Sequence, residues 1–368
     1  MTLKKKLLPT KLGMGSVTYS KSKLSRSEEK KLRLSSFEYA FYKNINSFDT
    51  AEIYENGNSE KVVGNFLKNK RSKVFLSSKY STKNKTKSDI IRACENSLRR
   101  LNTDYIDLYQ SHWPDPEVNF KEHIEALAFL HSKKKIRYIG LSNCNLEQIT
   151  YAKSVLGKKL FSNQDKLNLT SRPDDFKKNY FKKLKKIKVK NIAYGIFGQG
   201  FLEFKKEAVF FLDKLSKKYN CSLNQLIINW ISMYDPEGLI LTNSLNPTHI
   251  KSNCLALSFR ISRKDYHSIN NFFQPKKQML SVNKIKVIDW DIDKNHKVYT
   301  SLAQAKANKY GLKPSLEFLV EEIKKTGFKP IEVKRVKDAY FVLQGRMRYW
   351  AYRELYKKKL TIPAIIIS

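Results

Sequence analysis

The sequence predicts an α/β chain. A closed parallel (β/α)8 barrel, the TIM-barrel architecture, is expected over residues 1–272, then a linker at 273–278 and a small α+β domain over residues 279–368. Three observations predict this. Short apolar runs alternate with longer amphipathic stretches through the first 272 residues, the pattern of strand–helix units. Eight such units follow one another without an early break, as a closed barrel requires. The first strand runs into Gly13-Met14-Gly15-Ser16. That turn lacks the third glycine of G-x-G-x-x-G and a helix pattern after it, which makes an open doubly wound sheet the weaker alternative.

The strands are expected at Leu12–Gly15, Asn46–Asp49, Val74–Lys79, Tyr105–His112, Ile136–Ser142, Leu160–Gln164, Asn191–Gly195 and Leu239–Thr242. Between them, Asp89–Leu101 places Ile90, Ile91, Cys94, Leu98 and Leu101 on one face at helical spacing. Lys177–Lys188 carries an apolar stripe of Phe181, Leu184 and Ile187 with lysines covering the rest, which reads as the wet face of a barrel helix. Gln225–Met233 reads as a buried helix. Composition changes at Gln274-Pro275-Lys276-Lys277, the expected linker. Beyond it the pattern gives a helix at Ser315–Thr326, a strand at Pro330–Arg335, a turn at Lys337-Asp338 and a strand at Tyr340–Gln344. A helix from about Arg346 to Lys358 and a final apolar strand, Ile362–Ile367, complete it.

Hydrophobic residues at 41% and aromatics at 12% suffice for a sizeable core and exclude wholesale disorder. The net charge of +37 has two readings: binding of nucleic acid or an anionic membrane, or a lysine-biased, solvated surface. The lysines are spread along the chain rather than gathered in a tail, which favours the second. Cys94, Cys144, Cys221 and Cys254 are far apart and form no C-x-x-C pair. Neither a zinc site nor a disulfide framework is indicated, and reduced thiols in the cytoplasm fit best. No secretory signal and no membrane span is read.

In a barrel of this kind the active site lies at the carboxyl ends of the strands. The polar residues there are Asp49, Lys79, His112, Ser142 with Asn143, Gln164 and Tyr194. Taken singly each has a bland reading: Asp49 as a helix cap, Tyr54 as a half-buried core residue, His112 as a satisfied buried histidine. Together they carry a resemblance. Ser47-Phe48-Asp49-Thr50-Ala51-Glu52-Ile53-Tyr54 resembles the FDTAxxY segment of the aldo-keto reductase family, with Gly57 and Ser59-Glu60 following. Phe75-Leu76-Ser77-Ser78-Lys79 resembles that family's third-strand lysine segment. Asp104–Pro114 is similar to DYIDLYxxHWP, and Ile136–Asn143 to IRxIGxSN. The motifs are ordered and spaced as in that family over nearly all of residues 1–272.

The resemblance implies NAD(P)H-dependent reduction of an aldehyde or ketone. Reducing a carbonyl takes a hydride on carbon and a proton on oxygen. Tyr54 is implied as the proton donor. A free tyrosine ionises near about pH 10, so it serves only where the developing phenolate is stabilised. Lys79 would supply the nearby cation, Asp49 would hold Lys79 in place and charged, and His112 would orient the carbonyl oxygen. Ser142, Asn143 and Gln164 are implied as partners of the nicotinamide carboxamide, with Tyr194 stacked on the ring. Gly198-Gln199-Gly200 resembles the pyrophosphate loop, where small residues let backbone N–H groups approach phosphate; a simple turn is the alternative. Asn253 fits the adenine-contacting asparagine. Ser244 is a candidate near the adenosine 2′ position, where Leu245 stands in place of the family's common basic residue. NADP is the implied cofactor, with NAD as the alternative. The short segment Trp113–Phe120 implies an open pocket walled by Trp113. It suits a polar small-molecule carbonyl such as a sugar or sugar nucleotide.

Residues 315–368 resemble the ParB/sulfiredoxin-like domain. Leu316–Gly327 followed by Lys329-Pro330-Ile331 fits LxxSIxxxGxxxPI, and Gln344–Ala351 resembles GxxRxxA. The resemblance implies a nucleotide phosphate at Gly345, Arg346 and Arg348. A helix N-terminus and cations converge there. Arg346 stands where sulfiredoxins carry cysteine, so their redox chemistry is not expected. The alternative for the whole chain is a nucleotide- or nucleic-acid-binding regulator that uses the barrel as a redox-sensing module. No metal site is expected.

Overall fold

The computed structural model describes residues 7–17, 25–113, 119–173, 179–198, 206–274, 276–287, 298–308, 312, 314–336 and 338–367. They form two compact units, one ending at Ile269 and one starting at Asn270.

The first unit is a closed barrel of eight parallel strands in sequential order. They are β1 (Leu12–Gly15), β2 (Ser47–Asp49), β3 (Phe75–Tyr80), β4 (Ile106–Ser111), β5 (Ile136–Ser142), β6 (Leu160–Lys166), β7 (Lys190–Tyr194) and β8 (Leu239–Thr242). Closure is made by β1 against β8, with Leu12 opposite Ile240 and Met14 opposite Thr242. Around them run α1 (Arg26–Tyr42), α2 (Asn58–Phe66), α3 (Lys87–Leu101), α4 (Phe120–Ser132), α5 (Leu146–Leu156), α6 (Tyr180–Ile187), α7 (Lys206–Lys218), α8 (Leu223–Tyr234), α9 (Pro247–Leu255) and α10 (Arg263–Phe272).

Local sequence explains the helix starts. Capping boxes pair Ser25 with Glu28, Thr86 with Asp89, Asn145 with Gln148 and Ser222 with Gln225. Asn246 caps α9 and Pro247 opens it. The apolar stripe of α3 is buried as its spacing predicts, through Ile90, Cys94, Leu98 and Leu101. On α6, Tyr180 and Leu184 face the core, and the earlier part of that expected helix, residues 177–178, lies outside the described residues.

Alternation along the strands sorts the interior into layers. Phe75, Leu108, Ile192 and Leu239 form an apolar cluster with Tyr138 and Phe161 packed on it. Four residues towards the carboxyl end, the same faces of β3, β4 and β5 carry Lys79, His112 and Ser142. Below them, the guanidinium carbons of Arg71 and Arg137 lie 3.7 and 3.9 Å from the Tyr105 ring centre, and both arginines pair with the buried Asp107. An apolar layer therefore lies beneath a polar rim.

The second unit is a five-stranded mixed sheet of β9 (Lys276–Ser281), β10 (Ile285–Lys286), β11 (Ile331–Val336), β12 (Ala339–Gln344) and β13 (Thr361–Ile367), in the order β10-β12-β11-β13-β9. It carries α11 (Leu302–Ala307), α12 (Leu316–Thr326) and α13 (Arg346–Leu355). Ile331, Val333, Val342, Ile362 and Ala364 from the sheet meet Tyr349 and Tyr352 of α13 in one core. Leu316, Leu319 and Ile323 of α12 close on Ala351 in a second.

One expectation is corrected. The stretch 273–278 is not all linker, because β9 begins at Lys276 and pairs antiparallel with β13, Lys276 opposite Ile366 and Ser281 opposite Thr361. The order of strands makes β9 an edge, and lysines are what edge strands carry to discourage further pairing. Linker and edge strand therefore share one composition. β10 and α11 were also invisible in the sequence, being only two and six residues long.

Among the described residues no helix is long and apolar enough to cross a membrane. Among them, too, no group of three or more His, Cys, Asp or Glu could hold a metal ion.

Candidate active site

Asp49 ends β2, Lys79 lies near the end of β3, and His112 follows β4, its backbone N–H donating to the Tyr80 carbonyl at 3.0 Å. Tyr54 opens the short 3-10 turn Tyr54–Gly57 beyond β2. The structure brings these four side chains together. The Lys79 ammonium, 1% exposed, donates to Asp49 Oδ1 and to the Thr50 carbonyl at 3.0 Å. Its Nζ also stands 5.3 Å from the centre of the Tyr54 ring. The His112 ring meets the Tyr54 ring edge-on, centres 5.4 Å apart at 80°.

Burial works against charge on both members of the ion pair. It pushes the Asp49 carboxyl up, against the pull of Lys79. It also opposes the Lys79 ammonium, but Asp49 and Tyr54 outweigh it and hold Lys79 above the usual lysine value. Burial, helped by the Lys79 charge, pushes His112 from 6.5 to about 3, so its imidazole is neutral at physiological pH.

A second cluster adjoins the first. The Asn143 amide donates to Ser142 Oγ at 3.0 Å and to the His112 carbonyl at 3.1 Å. Asn143 Oδ1 accepts from the Tyr194 hydroxyl at 2.9 Å. Ser142 Oγ donates to the Gln164 carbonyl at 3.1 Å, and the Asn143 N–H donates to that same carbonyl at 2.9 Å. Ser142, Asn143, Gln164 and Tyr194 are thus one connected group, tied to the histidine.

Gly198 sits in a turn after β7, its N–H donating to the Gly195 carbonyl at 3.0 Å, while Gly200 lies outside the described residues. Beyond β8, Ser244 Oγ accepts from the Asn246 N–H at 3.0 Å and so shapes the turn into α9. Asn253 on α9 is 2% exposed, and its Oδ1 has no hydrogen-bond partner among the described residues. Trp113, beside His112, is 47% exposed. In the second unit Gly345 takes φ +89°, the left-handed region, at the start of α13, with no side chain capping that helix. Arg346 and Arg348 follow it in the first turn, Arg348 lying near the charges of Glu332 and Glu322.

Gln110, not among the polar residues that the strand ends single out, donates from its amide Nε2 to Gln164 Oε1 at 3.2 Å. A signal was present: Gln110 lies two residues before His112 and so shares its face of β4.

A neutral, buried His112 has a consequence for stability. The unfolded chain takes up a proton near pH 6.5, whereas the folded chain resists it down to about 3, so stability is lost as pH falls through this window. A His112→Gln variant is expected to lose less stability than the parent between pH 6.5 and pH 4 in urea titrations. Equal losses would show that the histidine is not held neutral.

The Aldo/keto reductase family model matches residues 11–273. Aldo-keto reductase YhdN of Bacillus subtilis is 29% identical over 284 residues, covering 67% of this chain and 85% of that protein. Methylglyoxal reductase YeaE of Escherichia coli is 31% identical over 237 residues, 62% of this chain and 80% of that protein. Among solved structures, an aldo/keto reductase from Klebsiella pneumoniae in complex with NADP and acetate superposes with a TM-score of 0.62 at 25% identity. The match covers 72% of this chain and 92% of that one.

Proposed function

Because the chain belongs to the aldo/keto reductase family and is an NAD(P)-dependent oxidoreductase, we propose that it reduces the carbonyl of a small aldehyde or ketone with NADPH, Tyr54 giving the proton. The observation that carries this reading is the buried Lys79–Asp49 pair against the Tyr54 ring, beside a neutral His112.

The residues present fit a nicotinamide dinucleotide. Ser142, Asn143, Gln164 and Tyr194 make a polar cluster beside the phenol, suited to a carboxamide and a flat ring. Asn253 keeps a buried acceptor open, suited to an exocyclic amino group. Ser244 stands at the turn before α9, and Gly198 and Gly200 are assigned to the pyrophosphate. Solved relatives hold NADP or NADPH, which supports NADP here. NADPH, when bound, supplies the hydride to the carbonyl carbon.

The chain's own groups handle the oxygen. Tyr54 donates its proton to the carbonyl oxygen, and Lys79 stabilises the phenolate that remains. Asp49 keeps the ammonium charged and fixed. A neutral imidazole has one N–H to give, and His112 directs it at the same oxygen, orienting the carbonyl without competing for the proton. Trp113 walls the pocket. The shortness of Trp113–Phe120 supports a polar, open-bound substrate, and a sugar or sugar nucleotide is the finer reading.

Tyr54→Phe tests the assignment. NADPH oxidation is to be followed with methylglyoxal, the substrate named for the Escherichia coli relative, and with a panel of aldehydes and aldoses. The variant is expected to lose about a hundredfold or more in kcat while its affinity for NADPH stays within about twofold. Activity retained in Tyr54→Phe contradicts the role.

A second reading concerns the C-terminal unit, taken as ParB/sulfiredoxin-like and holding a nucleotide phosphate at Gly345, Arg346 and Arg348. An uncapped helix start with a left-handed glycine, followed by two arginines, supports it. Titrating ATP into protein saturated with NADP+ is expected to give binding that weakens in the Arg346→Ala/Arg348→Ala double variant. Equal affinity in parent and variant would remove the reading.

A further inference from the structure

Resting on the reading of the barrel as a nicotinamide-binding reductase, we propose that Gln110 is a positioning residue for the cofactor. It holds the Gln164 side chain in one orientation, so that Gln164 offers an N–H, not a carbonyl, to the nicotinamide carboxamide.

Gln110 lies on β4, in register with Lys79 on β3 and Gly140 on β5. It is completely buried. A Cβ placed on Gly140 would stand 2.6 Å from Gln110 Cγ and 2.9 Å from its Oε1. The glutamine therefore lies directly against the Gly140 backbone. Only glycine at that position lets a long polar side chain cross the strand towards β6. There its Nε2 donates to Gln164 Oε1 at 3.2 Å.

A primary amide has a donor end and an acceptor end of nearly equal shape, and its partners decide which way it faces. With Oε1 of Gln164 engaged by Gln110, the two N–H groups of Gln164 remain. The neighbouring side chains have less to give. Both N–H groups of Asn143 are taken, by Ser142 Oγ and the His112 carbonyl. The Ser142 hydroxyl proton goes to the Gln164 carbonyl, and that of Tyr194 to Asn143 Oδ1. Among these four side chains, Gln164 is the one with an N–H left for a ligand carbonyl.

Gln110 is also a costly way merely to fill this layer. Its own Oε1 is buried without a hydrogen-bond partner among the described residues. A leucine or methionine would fill the space and leave no acceptor orphaned.

The test is calorimetric and needs no turnover. NADP+ and 2′-phospho-ADP-ribose, which lacks the nicotinamide, are titrated into the parent protein and into Gln110→Met. The variant is expected to bind NADP+ about three- to tenfold more weakly, the worth of one such hydrogen bond, and the fragment within about twofold of the parent. Equal weakening of both ligands, or no weakening of either, overturns the proposal. The parent alone supplies a second arm. The 3-acetylpyridine analogue of NADP+ keeps the carbonyl and lacks the amide N–H. It is expected to bind within about threefold of NADP+, whereas a loss of tenfold or more means that Gln164 shows its carbonyl, and overturns the proposal whether or not the variant folds. A parent that binds neither NADP+ nor the fragment overturns the reductase reading itself.

Discussion

An ammonium at 1% exposure, inside a barrel, survives as a charge only if the fold hands it a counter-ion and acceptors. Lys79 receives Asp49 from the adjacent strand and the Thr50 carbonyl, and lies against the Tyr54 ring. The rest of the site depends on that arrangement. The charge sits beside the phenol where it can act on a phenolate, and it helps push His112 to its neutral form. One buried cation thereby bears on two neighbours, in surroundings where charges act more strongly on one another than they do in water.

The barrel supplies the counter-ion through register. β2 and β3 are neighbours, and parallel pairing sets Asp49 beside Ser77, two residues before Lys79 on the same face. Lower on that face Phe75 belongs to the apolar cluster, so the pair has an apolar floor. Gly140 plays the complementary part on β5. By carrying no side chain it gives Gln110 room, and the polar network runs on from β4 to Gln164, Ser142, Asn143 and Tyr194. Apolar floor and polar rim are consecutive layers of the same strands.

Much of this was legible in the sequence because it is local. Strand runs and the motifs around Asp49, Lys79, His112 and Asn143 each lie within a few residues, and the structure brings those side chains together at one end of the barrel. What escaped was non-local or short. The strand at Lys276 reads as a linker because lysines suit both. The two residues Ile285–Lys286 become a strand only through their pairing with β12. Gln110 looks like one more polar residue in an apolar run until Gly140 is seen across from it and Gln164 within reach.

The role proposed for the buried, carboxylate-held ammonium is to enable proton transfer from the phenol, and replacing Lys79 addresses it most directly. In Lys79→Met the Asp49 carboxylate loses its cation and is expected to take up a proton, leaving Tyr54 in an uncharged setting. Single-turnover reduction of methylglyoxal by pre-bound NADPH, measured beside the dissociation constant for NADPH, separates chemistry from binding. The hydride-transfer rate is expected to fall by about a hundredfold or more with cofactor affinity within about threefold. A Lys79→Met protein that transfers hydride at the parent rate would contradict that role.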